Sequence, residues 1–229
     1  MKLSIVIPCW LRNAELVQLF NNCIRSIEKW TEDYELILVD NGSEYGQDCI
    51  MANADIYVRN KQNLGYAPAV NQGFRLAKGD YVAVMNDDIE VYRNWAENLM
   101  LASKGGVSFP RPLPDHLPIS TPQVGLASWE NNTLPDDKVE MGFGALYLAS
   151  RKDFLSIAYP NGDLLDEGFK MGMFEDTDLW QRFNKAGLPL TYSGKTFVWH
   201  KGSATWDTLE NKKELFEANE RRYKDKWEI

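Results

Sequence analysis

Four short runs constrain this chain more than any other feature. Residues 3–7 (LSIVI), 35–40 (ELILVD) and 80–85 (DYVAVM) are rich in aliphatic residues and read as strands, and 55–60 (DIYVRN) as a shorter one. Between the first two, residues 14–30 place Leu16, Leu19, Phe20, Cys23, Ile24 and Ile27 at helical spacing. Residues 67–79 (APAVNQGFRLAKG) read as a second helix that stops at Gly79. Strands alternating with helices predict an α/β fold of three layers, a mostly parallel sheet between helices. Ligands of such sheets bind outside the carboxyl ends of the strands. Asp40 and the pair Asp87/Asp88 both fall on that edge.

The second part of the chain is less regular. Residues 109–140 hold six prolines and read as a long excursion. Residues 144–150 (GALYLAS) return to strand, and 176–187 (DTDLWQRFNKAG) form a helix ending at Gly187. Residues 190–200 (LTYSGKTFVWH) read as one or two strands, and the charged stretch 208–227 as a helical tail. No repeat or linker divides the 229 residues, so a single domain is expected.

Composition excludes several classes. A net charge of −8 disfavours a nucleic-acid surface. Three cysteines without a CxxC pair fit neither a disulfide framework nor a zinc site, and point to a reducing compartment. Pro8 and Arg12 interrupt the amino-terminal apolar run, so it does not read as a signal peptide. No stretch reaches membrane-spanning length. A cytoplasmic protein with at most peripheral membrane association is expected.

No GxGxxG follows the first strand, and Pro189 stands where a phosphate-cradling loop ending in SGKT (193–196) needs its first glycine. SGKT is therefore read as a turn between strands. A bound diphosphate would need a cation or basic side chains to neutralise it. Asn86-Asp87-Asp88, at the end of the fourth strand, can supply the cation. Mg²⁺ and Mn²⁺ take oxygen ligands, often one or two carboxylates plus substrate phosphates. In extended backbone Asn86 and Asp88 share one face and Asp87 takes the other. Asp88 is the candidate ligand, with Asn86 or Asp87 assisting through water or a ribose. A solvated acidic turn accounts for the same triplet.

The stretches LSIVIPCWLRN, LILVDNGS, NLGYAPAVNQGFRLAKGDYVAVMNDD and FEDTDLWQRFNKAG, in this order, resemble the family 2 inverting glycosyltransferases of GT-A fold. The likeness runs from about Leu3 to about Ser203. It implies a nucleotide-binding half (about 1–110), an acceptor-binding half (about 111–205) and a helical tail (about 206–229). It implies transfer, with inversion, from a UDP- or dTDP-sugar to a glycan or lipid-linked hydroxyl, assisted by Mn²⁺ or Mg²⁺. Pro8 then sits beside the base, and Asp40 accepts a hydrogen bond from the pyrimidine ring N–H. Asn63, Gly65 and Asn71 line the nucleotide pocket. Asn86 replaces the first carboxylate of the family's DxD. Asp176, or else Glu175, becomes the base that deprotonates the acceptor, although first-turn acids also simply suit a helix dipole. His200 completes metal coordination or contacts the diphosphate, whereas an ordinary hydrogen-bonded histidine is the plain alternative. His116 has no such support, and Lys201 reads as exposed. Gly142 and Gly144 allow close approach of a ligand or backbone. Trp129, Trp180, Trp199 and Trp206 are candidates for sugar stacking or for core. Two rival functions stay open: a nucleotidyltransferase making activated sugars, and a non-catalytic glycan- or nucleotide-binding module.

Overall fold

A computed structural model of the protein describes residues 3–113, 134–202, 206 and 209–229. Strands β1 (Leu3–Cys9), β2 (Tyr34–Asp40), β3 (Ile56–Arg59) and β4 (Tyr81–Met85) form the expected parallel array in the order β3-β2-β1-β4. Helices α1 (Ala14–Trp30), α2 (Gln47–Asn53) and α3 (Tyr66–Leu76) make the crossovers. Asn13 caps α1, its side chain accepting from Leu16 N–H at 2.9 Å.

Beyond β4 the sheet becomes mixed. The described strands β5 (Ile89–Glu90), β6 (Val107–Pro112), β7 (Asp137–Val139), β8 (Leu146–Ser150) and β9 (Leu190–His200) continue the order as β4-β8-β6-β9-β5, with β7 on the side of β9. Of these pairings only β6 with β9 is parallel; β8 runs antiparallel to both β4 and β6, and β5 and β7 run antiparallel to β9. The parallel expectation thus describes the amino-terminal strands and the β6–β9 pair, and the remaining pairings are antiparallel.

Alternation along the strands splits the core into two layers. Ile5, Ile7, Leu36, Leu38, Ala83 and Met85 pack toward α1 and α4 (Trp95–Ser103). Val6, Ile37, Val82 and Val84 pack on the other side toward α3, α5 (Arg151–Ile157) and α6 (Glu175–Lys185). The carboxy-terminal stretch forms α7 (Lys212–Trp227), which buries only Asn219 and Tyr223.

Three helices escape the periodicity reading. In α2 only Ile50 is buried, α4 is apolar on most of its surface, and α5 is only seven residues long. Two readings are corrected. The proline-rich excursion begins inside a strand, because Pro110 sits where the β6–β9 register shifts and so removes no ladder donor of consequence. SGKT is no hairpin turn. Phe109 and Arg111 of β6 pair with Tyr192 and Phe197, so residues 193–196 bulge within one continuous β9.

Candidate active site

β4 ends where Asn86 N–H donates to Ala145 O at 2.8 Å, and the chain turns through Asp87 and Asp88. It re-enters the sheet at once, since β5 pairs Ile89 with His200 at the end of β9. This ladder sets Asp88 beside a histidine far away in sequence, with Oδ1 and Nε2 3.2 Å apart. The two atoms are not aligned for a hydrogen bond. Both are buried without a partner, as is Asn86 Oδ1. Unsatisfied buried acceptors are costly. An oxygen-and-imidazole donor set with free lone pairs is chemically suited to a divalent cation. Burial, and then the neighbouring Asp88, push the Asp87 carboxyl up to about 7, while Trp10 N–H offsets part of this.

The second carboxylate pair opens α6. Residues Met171, Gly172, Met173 and Phe174 carry φ of 64°, 146°, 74° and 70°, so left-handed backbone leads straight into Glu175. Non-glycine residues held this way cost of order 1–3 kcal/mol each and cluster at functional sites. Glu175 is 6% exposed and its Oε2 has no partner. Desolvation first, then Asp176, raises Glu175 well above the carboxylate range. Asp176 is raised as well, again chiefly by desolvation, with Thr177 N–H and Oγ–H donating to its Oδ1 and opposing the rise. Asp178, one helical step on, serves packing. It is fully buried and accepts from Arg182, Tyr159 and Trp227.

Pro8, Asn63, Asn86, Asp87, Asp88, Glu175, Asp176 and His200 line one cavity of about 350 Å³. Its lining holds four carboxylates and neither lysine nor arginine among the described residues. The glycine expected to permit close approach does so at Gly144, where a Cβ would overlap the Asp176 carboxylate. Gly142 faces the Phe109 ring instead. Gly144→Ala should therefore displace the Asp176 side chain. The expected result is a loss of at least about tenfold in turnover with nucleotide affinity unchanged, since small misplacements near the chemistry cost up to about a hundredfold. Wild-type turnover in this variant would remove Asp176 from the chemistry.

Three expected nucleotide contacts lie elsewhere. Asp40 is fully buried beneath the pocket. Its carboxylate accepts from Ser43 N–H, Tyr57 O–H and Arg59, and so anchors the turn after β2. Asn71 is buried too. It accepts from Leu164 and Leu165 N–H and donates to Leu165 O and Glu167, tying α3 to the 164–167 segment. Gly65 stands one layer back, its carbonyl accepting from Asn41 Nδ2 and its N–H donating to Asn63 Oδ1. Asn41, next to Asp40 in the same DNGS run, is the residue that does reach the cavity. Tyr66, inside the NLGYAPAVNQGF stretch, also lines the cavity, and no motif covers its Met171–Met173 wall. Of the tryptophans, Trp206 lines the cavity, as does Trp10, which was not among the candidates. Trp180 is core, packed edge-on against Phe109 and Tyr147, and Trp199 pairs with Glu90 in the β5–β9 ladder. Lys201 is exposed. His116 and Trp129 lie outside the described residues.

Comparison with known proteins follows the same lines. Residues 4–107 match the family model described as Glycosyl transferase family 2. The undecaprenyl-phosphate 4-deoxy-4-formamido-L-arabinose transferase of Proteus mirabilis is 32% identical over 96 residues, 39% of this chain and 29% of that protein. Glycosyltransferase GlyG of Streptococcus pneumoniae is 34% identical over 104 residues, 42% of this chain and 33% of that protein. The matches thus span about a third or less of these relatives' length. Among solved structures, GalNAc-T7 with UDP, GalNAc and Mn²⁺ superposes with a TM-score of 0.67 at 18% identity, over 87% of this chain and 44% of that one. Staphylococcus aureus TarS 1–349 gives 0.62 at 14% identity, over 98% and 72%. At such identities the likeness establishes the fold.

Proposed function

Taking the chain as a family 2-like glycosyltransferase of GT-A fold, we propose that it transfers a sugar from a nucleotide diphosphate to a glycan or lipid-linked hydroxyl, with inversion. One observation carries this reading. The Asp88/His200 pair and the Glu175/Asp176 pair, contributed by distant parts of the sequence, line a single cavity. A lone cation site would need only the first, and a binding module would need no second pair of desolvated carboxylates.

Asp88 and His200 would hold Mn²⁺ or Mg²⁺, with Asn86 and Asp87 beside them, and a cation there supplies charge stabilisation for a departing diphosphate. The electrostatics support this choice, because four carboxylates without a basic side chain repel a diphosphate on their own. Pro8, Asn41 and Asn63 form the wall nearest the parallel strands and bind the nucleoside there. Asp176 takes the proton of the acceptor hydroxyl as that oxygen attacks the anomeric carbon. The carbon–oxygen bond to the diphosphate breaks on the opposite face, and inversion follows from the single displacement. Glu175 stands second as base. A buried carboxylate with raised proton affinity is suited to this work. The nucleotide-binding half is about 1–110 and the acceptor-binding half about 111–205.

The named structural relative was crystallised with UDP. UDP- or dTDP-sugars are the proposed donors here. Among the described residues no helix is long and apolar enough to cross a membrane. A lipid-linked acceptor would be met at a membrane surface, with the enzyme on its cytoplasmic side. Calorimetry of UDP, dTDP, GDP and ADP with and without Mn²⁺ tests the donor. UDP and dTDP should bind more tightly than the purine nucleotides, and a clear preference for GDP overturns the assignment. Product analysis tests the reaction itself: free nucleoside diphosphate supports sugar transfer, whereas pyrophosphate marks nucleotidyl transfer.

A further inference from the structure

The turn in front of α6 is the most constrained backbone among the described residues. Gly172 N–H donates to Lys170 O at 2.8 Å across Met171, whose φ is 64°. This is the rare, positive-φ form of the γ turn. Gly172, Met173 and Phe174 continue in positive φ, and Met171, Gly172 and Met173 all face the cavity. Backbone of this kind persists only where its surroundings over-determine it.

One clamp comes from α3. Tyr66 N–H donates to Met171 O at 3.3 Å, and Gly65 lacks the Cβ that would press within 3.1 Å of Met171 N. The other comes from α7. Asn219, 2% exposed, accepts from Lys170 N–H at 3.0 Å. Its amide group donates to Lys170 O at 2.9 Å, to Gly172 O at 2.7 Å and to Met173 O at 3.3 Å. Only a side chain that both accepts and donates can do this. Asparagine is a poor helix former, and here it occupies the middle of a helix otherwise dominated by charge. Phe174 packs on Phe216 and Tyr223 of the same helix, with ring centroids 5.1 and 5.6 Å apart.

We propose that Asn219 is a positioning residue for the transfer reaction: it holds the strained 170–174 turn, and so fixes the direction in which α6 presents Glu175 and Asp176 to the cavity. The inference rests on the proposed function. It makes the tail helix part of the catalytic apparatus, although no residue of α7 lines the cavity.

The test compares Asn219→Asp with Arg222→Ala. The first keeps size and the bond from Lys170 N–H but sets an oxygen against three carbonyls. The second removes the Arg222 bonds to Asp166, keeps the one from Lys226, and leaves the hydrogen bonds of the turn alone. Asn219→Asp is expected to keep UDP affinity with Mn²⁺ within about twofold, keep the donor KM, and lose about tenfold or more in kcat per folded molecule. Arg222→Ala is expected to lower the melting temperature without changing kcat. Should Asn219→Asp not fold, Asn219→Ser, which still donates and accepts, takes its place with the same expected split. Wild-type kcat in a folded Asn219 variant overturns the inference alone. Failure of both Asn219 variants to fold makes the residue a packing element and overturns it too. A wild-type protein that binds UDP but transfers nothing from any donor sinks the proposed function, and the inference with it.

Discussion

Asp176→Asn is expected to leave nucleotide binding in place and to lower transfer by at least about a hundredfold, the low end of what general-base catalysis contributes. The substitution preserves the shape of the side chain and the oxygen that accepts from Thr177. What it removes is the basic carboxylate. A helix cap lost in this way would lower stability and leave the rate per folded molecule unchanged. The opposite is expected here. Desolvation raises the Asp176 pKa on folding. A raised acid binds more protons folded than unfolded, so at neutral pH the ionised group costs stability, and the cost vanishes as pH falls below the unfolded value. The amide variant therefore melts no lower than wild type at pH 7 to 8. The wild-type rate should rise with pH through a range above that of a free carboxylate, because the base must be ionised to act. Glu175→Gln is the control, since Glu175 is also raised and its Oε2 has no partner. Inactivity of Glu175→Gln beside an active Asp176→Asn moves the base by one residue. Activity in both removes the carboxylate pair from the chemistry.

Asp88→Ala is expected to abolish the gain in UDP affinity proposed for Mn²⁺, a loss of at least about tenfold, since even outer partners of metal ligands are worth about 10- to 100-fold. The affinity measured without cation should not fall. One negative charge fewer in an acidic cavity can only ease the approach of a diphosphate. His200→Ala should reproduce the cation-dependent loss, because His200 Nε2 and Asp88 Oδ1 face the same space. The fold should survive both changes. Asp88 sits in a turn, and the β5–β9 ladder that joins the two residues is made by backbone. Calorimetric titration of UDP with and without Mn²⁺ measures the effect directly. Equal enhancement by Mn²⁺ in wild type and Asp88→Ala would rule Asp88 out as the main ligand.

Local pattern was enough for the parallel strands of the amino-terminal half and for two of its helices, while α2 and α4 left no legible stripe. The buried strands β1, β2 and β4 declare themselves by apolar runs, α1 by its 3.6-residue stripe and cap, and α3 by the stretch before Gly79. The carboxylates Asp87, Asp88, Glu175 and Asp176 were legible for the same reason: each stands at the end of a readable strand or helix. Local pattern failed where a residue type serves two purposes. Asp40 and Asn71 carry acceptors that suit a ligand equally well. Only the neighbours folded onto them, Tyr57 and Arg59 in one case and residues 164–167 in the other, show that those acceptors are already occupied. Asn219 looks like one more polar residue on a charged helix, and nothing in residues 171–174 beyond Gly172 announces left-handed backbone. By itself, then, the sequence determined the layered sheet and the chemical groups at its edge, because burial and periodicity are local properties of a chain. Which groups meet was decided by tertiary structure alone, because the β5–β9 pairing and the grip of α7 on the 170–174 turn join segments whose separation along the chain leaves no periodic trace.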